Sequence, residues 1–150
     1  MSMTLSAAAE TMQGSLHGDD AAFTGVSTDT RTVQAGELFF AISGPNFDGA
    51  DFVAQAHEKG AAGAVVTDQV SADISQITVD DTRLALGRLG TNWRQQQPAT
   101  VVGVTGSNGK TTLKEMIAAC LSRSASTIAT AGNLNNDIGM PLMLLRIEPT

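Results

Sequence analysis

The chain has 150 residues, 42% apolar and 16% charged, which suits one globular domain, or one small domain and the start of a second. No apolar run approaches the roughly 18 residues of a membrane span, no positive flank precedes an apolar block at the N-terminus, and one cysteine excludes a disulfide framework, so a cytoplasmic location is expected. The net charge of −6 is uneven: residues 1–80 carry eleven acids against Arg31 and Lys59, residues 81–150 four acids against seven bases, and with every phenylalanine in the acidic part no basic, aromatic-interleaved stripe offers itself to nucleic acid.

Residues 3–16 read as a short helix with alanines and methionine on one side, and His17, beside Gly18-Asp19-Asp20, as a solvated turn residue. Phe23 to Ser27 alternates as a strand does, Thr28 to Arg31 is a polar loop, and Leu38 to Ile42 is a buried strand. A second polar loop spans 43–49. Asp48 then caps a helix from about Ala50 to Lys59 that turns Phe52, Val53 and Ala56 inward and stops at Gly60. Strands at 64–67 and 77–79 follow. Asp80-Asp81 caps a helix with Thr82, Leu86, Leu89 and Trp93 on one face, Trp93 in the core, and Pro98 ends it. Strands alternating with helices predict an α/β layer. The domain boundary is expected near Asp81, where the charge balance changes sign, giving units 1–81 and 82–150.

Val101-Val-Gly-Val104 reads as a short strand buried on both faces, and the composition turns small and polar at Gly106. Leu113, Met116, Ile117, Cys120 and Leu121 recur at helical spacing with one buried stripe, which makes Cys120 a core thiol rather than a nucleophile. Strand, glycine loop and helix, with Gly109-Lys110-Thr111 at the junction, form the context of a phosphate-binding P-loop. Backbone N–H groups converge there, the helix dipole adds positive charge, Lys110 adds a full one, and the Thr111 hydroxyl is set for magnesium. The general pattern G-x-x-x-x-G-K-[ST] has glycine where this chain has Val104, so the alternative is a glycine-rich turn with an exposed lysine. Thr127 to Thr130 is a candidate strand, 132–139 a loop dense in side-chain amides, and Pro141 opens a last helix. A phosphate-loop fold needs further parallel strands and an acidic magnesium-side residue, so a chain cut off inside its second domain is expected.

Thr105-Gly-Ser-Asn-Gly-Lys-Thr-Thr112 resembles the ATP loop of the Mur ligases, the cytoplasmic peptidoglycan-precursor amide ligases, a family that also lacks the first glycine. Within the family, Lys114-Glu-Met116 and Thr130-Ala-Gly-Asn-Leu-Asn-Asn-Asp-Ile-Gly-Met-Pro-Leu142 are similar to the member that joins D-alanyl-D-alanine to UDP-N-acetylmuramoyl-tripeptide. Asp29-Thr-Arg31, Gly36-Glu-Leu-Phe39 and Phe47-Asp-Gly49 resemble its N-terminal domain. The resemblance implies a small α/β UDP-binding domain followed by the start of a P-loop parallel-sheet ATPase domain, monomeric and acting on small molecules.

It further implies amide formation through an acyl phosphate. ATP would lie on Gly106, Ser107, Asn108, Gly109, Lys110, Thr111 and Thr112, with Lys110 on the β/γ oxygens and Thr111 on Mg2+ as the catalytic pair. The uridine nucleotide would lie against Asp29, Thr30 and Arg31 and against Pro45, Asn46 and Phe47, with Asn133, Asn135 and Asn136 facing sugar or peptide carbonyls. From the residues alone, Arg31 meets a diphosphate or pairs with Asp29 or Glu37, Phe47 stacks on uracil or plugs the core beneath, and the asparagines bind ligand or satisfy their own turn. The dipeptide, adenine and acidic magnesium sites are expected beyond residue 150, so this stretch alone is expected not to ligate. Another Mur ligase, a non-ligase P-loop protein and a plain UDP-sugar binding module are the alternatives.

Overall fold

Leu38, Phe39 and Phe40 are buried, and their side chains part alternately to the two faces of one sheet, as the period of two of a strand requires. The computed structural model describes residues 1–132 and 136–148. In chain order the elements are β1 (Met3–Thr4), α1 (Leu5–Met12), β2 (Ser15–His17), β3 (Ala22–Phe23), β4 (Gly25–Ser27), β5 (Glu37–Phe40), a 3-10 turn (Gly49–Phe52), α2 (Val53–Glu58), β6 (Gly63–Val66), β7 (Gln76–Thr78), α3 (Thr82–Gln95), α4 (Lys110–Leu121) and α5 (Gly139–Leu144). β4, β5, β6 and β7 run parallel, β2 closes one edge antiparallel to β7, and β1 pairs with β3 apart from this sheet.

One face carries Leu38, Phe40, Val65 and Ile77, covered by Leu5, Ala8 and Met12 of α1 and by Ala85, Leu86, Leu89 and Trp93 of α3. The other carries Phe39, Ala64 and Val66, covered by Val53 and Ala56 of α2. Both faces are dry. That is why β5 and β6 are continuous apolar runs rather than alternating ones. Asp81 caps α3 by accepting from the Leu84 N–H at 2.9 Å, and the helix, although it starts where the charge changes sign, buries its stripe in the first core. α5 packs against α3: a Cβ at Gly90 would sit 3.1 Å from the Pro141 Cα, so a side chain there would crowd this crossing. No helix among the described residues is long and apolar enough to cross a membrane.

Several expectations are corrected. The helix foreseen over 3–16 is shorter, because Gln13 takes a left-handed conformation (φ 60) and turns the chain into β2. His17 lies in β2 rather than in a turn, with Nε2 2.9 Å from the Thr78 hydroxyl oxygen. Phe23 to Ser27 divides into β3 and β4, which pair with different partners. Phe52 is exposed rather than inward, because the 3-10 turn before α2 advances the side chains about 120° per residue instead of 100°.

The larger correction concerns 101–130. Val101 and Val102 are 51% and 54% exposed, and neither 101–104 nor 127–130 forms a strand. A strand exists only where a neighbour takes up its backbone hydrogen bonds, and the described residues place none beside either segment. α4 forms as foreseen, but none of its twelve residues is buried: Leu113, Met116 and Leu121 of its apolar stripe are exposed, and so is Cys120, which is therefore not a core thiol.

Candidate functional site

Because β4 and β5 are adjacent and parallel, the loops that follow them leave the same edge of the sheet, the carboxyl edge where open α/β sheets bind ligands. After β4, Asp29 folds back on its own turn: its Oδ1 accepts from the Arg31 backbone N–H at 2.8 Å, and its carboxylate receives Arg31 Nε at 3.0 Å and Nη2 at 2.7 Å. The Arg31 hydrogen bonds, side chain first and backbone second, push the Asp29 carboxyl down to about 2. α2 supports the turn from behind. The Thr30 hydroxyl donates to Gln55 Oε1 at 2.6 Å, and Lys59 Nζ donates to the Thr30 carbonyl at 2.5 Å. The sequence reading gives neither Gln55 nor Lys59 a place in the site, although their spacing of four on one helix face is the signal that pairs them. Arg31 itself is 86% exposed, so its guanidinium presents an open side to solvent.

After β5, Asp48 organises the second loop. Its Oδ1 accepts from the Ser43 hydroxyl at 2.7 Å and from the Ala50 N–H at 3.0 Å, which lowers its carboxyl below the usual range. Pro45, Asn46 and Phe47 stand exposed on this frame. Phe47 is 55% exposed and meets the Phe52 ring edge-on, with centroids 6.5 Å apart and planes at 74°. It therefore does not plug the core. Phe52, displaced outward by the 3-10 turn, joins it in a pair of surface rings that the sequence reading missed.

The third loop, 105–109, opens α4. Gly106 and Gly109 have φ of +143° and +74°, conformations that L side chains avoid, and Gly109 brings no side chain to cap the helix. No acid stands in the first turn. Lys110 Nζ donates to the Gly106 carbonyl at 2.5 Å, so the ammonium closes over the loop. An anion meets uncapped amide dipoles and one full positive charge here, which suits a phosphate. Among the described residues no group of three or more His, Cys, Asp or Glu gathers to hold a metal by itself.

One turn further along, Lys114 is only 16% exposed, and its Nζ donates to the Thr130 carbonyl at 2.5 Å and the Gly132 carbonyl at 3.2 Å. Asn136 Oδ1 accepts from the Gly139 N–H at 2.7 Å and from the Ile138 N–H at 3.3 Å, so this asparagine satisfies its own turn and starts α5. Asn133 and Asn135 lie outside the described residues. An open depression of about 520 Å³, lined by His17, Asp19, Val70, Asp73, Ser75 and Gln76, lies at the start of β7, on the opposite edge of the parallel strands from the first two loops. It contains none of the predicted site residues.

Fold and site together define an α/β protein with a mostly parallel five-stranded sheet and a glycine-rich loop that opens a helix. The chain belongs to the Mur ligase family: the Mur ligase family catalytic domain matches residues 22–94, and the Mur ligase middle domain matches residues 104–150. Over 149 residues it is 49% identical to the UDP-N-acetylmuramoyl-tripeptide--D-alanyl-D-alanine ligase of Escherichia coli K12, covering 99% of this chain and 33% of that protein. A crystal structure of MurF from Acinetobacter baumannii superposes with a TM-score of 0.92 at 41% identity, over 99% of this chain and 34% of that one. The MurF ligase of Thermotoga maritima, solved in complex with ADP, gives 0.74 at 33% identity, over 83% of this chain and 30% of that one. The chain thus spans about a third of the length of these relatives.

Proposed function

We propose that this chain carries the uridine-nucleotide unit and the ATP loop of an ATP-dependent amide ligase that joins D-alanyl-D-alanine to UDP-N-acetylmuramoyl-tripeptide. The observation that carries the reading is the start of α4, where an uncapped helix end, free of acids in its first turn, stands under Lys110 in a sequence 49% identical to such a ligase. The diphosphate of the UDP substrate would take Arg31, and uracil would stack on Phe47 across the edge formed by the first two loops. The two units, 1–81 and 82–150, remain part of the proposal, with α3 of the second packed on α1 of the first and on α5. A cytoplasmic monomer acting on soluble nucleotide-linked substrates is part of the same proposal.

In the reaction, a substrate carboxylate oxygen bonds to the γ-phosphorus of ATP as the bond to the β-bridging oxygen breaks, giving an acyl phosphate and ADP. The dipeptide amine then adds to the acyl carbon, and the tetrahedral intermediate collapses with loss of phosphate and a proton. Most of the catalysis is positioning and charge neutralisation. Gly106 to Thr112 would orient the phosphates through backbone N–H groups, Lys110 would offset charge on the transferring group, and Thr111 would help seat magnesium, which supplies further neutralisation when bound.

Calorimetry of the chain with UDP-N-acetylmuramoyl-tripeptide and with Mg·ADP tests the assignment. Arg31→Ala weakens the first ligand alone, and Lys110→Met weakens the second alone by about 10-fold or more, the worth of one charge-assisted hydrogen bond. The reading fails if both ligands bind undiminished to both variants.

A further inference from the structure

We propose that Lys114 is a positioning residue that couples the phosphate loop to the asparagine-rich loop, an inference that rests on the nucleotide reading above. Lys110 and Lys114 are four residues apart and so share one face of α4. The first reaches back over the loop to the Gly106 carbonyl, and the second reaches across to the segment that leads into 133–136.

The Lys114 ammonium has three N–H donors and three acceptors: the Thr130 carbonyl at 2.5 Å, the Gly132 carbonyl at 3.2 Å and Glu115 Oε1 at 3.0 Å. Two of these are backbone carbonyls. They fix the chain on either side of residue 131, just where it turns left-handed at Gly132 (φ +52°). No residue of α4 is fully buried, so the lysine's donors are the directional contacts that join the helix to this segment. Asn136 starts α5, and α5 rests on α3 and so on the first core. A phosphate that tightens the first turn of α4 therefore tightens the anchor of the asparagine loop one turn later. A surface lysine on a solvated helix face gives no such arrangement.

Amide hydrogen exchange of the chain with and without Mg·ADP tests this in three proteins: unchanged, Lys114→Met and Lys114→Arg. Exchange within β5 serves as the check that each is folded. Mg·ADP is expected to slow exchange over 128–132 and 136–139 roughly fivefold in the unchanged chain, which corresponds to one hydrogen bond's stabilisation. Lys114→Met keeps Mg·ADP affinity within roughly threefold, since the lost donors do not touch the phosphate, yet loses the slowing; Lys114→Arg, which retains a cationic donor, keeps it. Slowing that persists in Lys114→Met, or disappears in Lys114→Arg as well, overturns the proposal. Loss of Mg·ADP binding in Lys114→Met also overturns it, by placing the lysine in the phosphate site. If the unchanged chain binds no Mg·ADP, the nucleotide reading itself fails and this inference falls with it; binding without any slowing removes the inference and leaves that reading standing.

Discussion

Trp93 donates its indole N–H to the carbonyl of Ile147 at 2.9 Å, and both residues are buried, so one hydrogen bond ties α3 to the chain leaving α5 across 54 residues of sequence. Trp93→Phe keeps most of the apolar body and leaves the Ile147 carbonyl buried without its donor. The expected cost is about 1–3 kcal/mol of unfolding free energy, read from urea denaturation. A midpoint equal to that of the unchanged chain would show that the carbonyl finds water instead.

The same helix pair is sensitive from its other side. Gly90→Ala places a Cβ 3.1 Å from both the Cα and the Cβ of Pro141, and a backbone atom has little room to give. A loss of about 1–3 kcal/mol is expected, as for other overpacked contacts. Gly87→Ala, with nothing within 4 Å of its added Cβ, is the control and should stabilise the helix.

Asp29 supplies a pH dependence. With its folded pKa pushed down to about 2, the carboxylate is more stable folded than unfolded, so its contribution is complete above the ordinary carboxyl range and fades as pH falls through about 2. Being 36% exposed, it is screened, and the effect on stability stays below about 1 kcal/mol. The sharper measurement is NMR titration of the Asp29 carboxyl. Uridine diphosphate that draws Arg31 away should raise its pKa, and an unmoved titration under saturating ligand would remove Arg31 from the diphosphate site.

Phe47 separates binding from folding. Exposed beside Phe52, it contributes little to the core, so Phe47→Ala should change stability by no more than about 0.5 kcal/mol. If uracil stacks there, affinity for the UDP substrate falls by about 1–3 kcal/mol, measured by calorimetry. Stability lost without any loss of affinity would assign the ring to the scaffold.

Much of the chain before α4 is legible in the residues. Val53 and Ala56 face inward, Asp48 and Asp81 cap as foreseen, and Leu86, Leu89 and Trp93 share the buried face of α3. Each of these depends on neighbours within a few positions. Phe52 was misplaced because one 3-10 turn shifts the phase of the helix that follows, and nothing in its composition announces that turn. Lys114 stands in a family motif, but the sequence gives it no role because its acceptors, at 130 and 132, are carbonyls, which every residue carries alike.

By itself the order of residues determined the glycine loop, the helix that Gly109 opens, the caps and the apolar periods, since these rest on local stereochemistry and spacing. Only the tertiary structure decided that Arg31 closes on Asp29, that the Phe47 and Phe52 rings stand together in solvent, and that 101–104 stays without strand partners. Periodicity marks which face of an element is apolar. Whether that face is covered, and which donor meets which acceptor, depends on what the rest of the chain brings alongside.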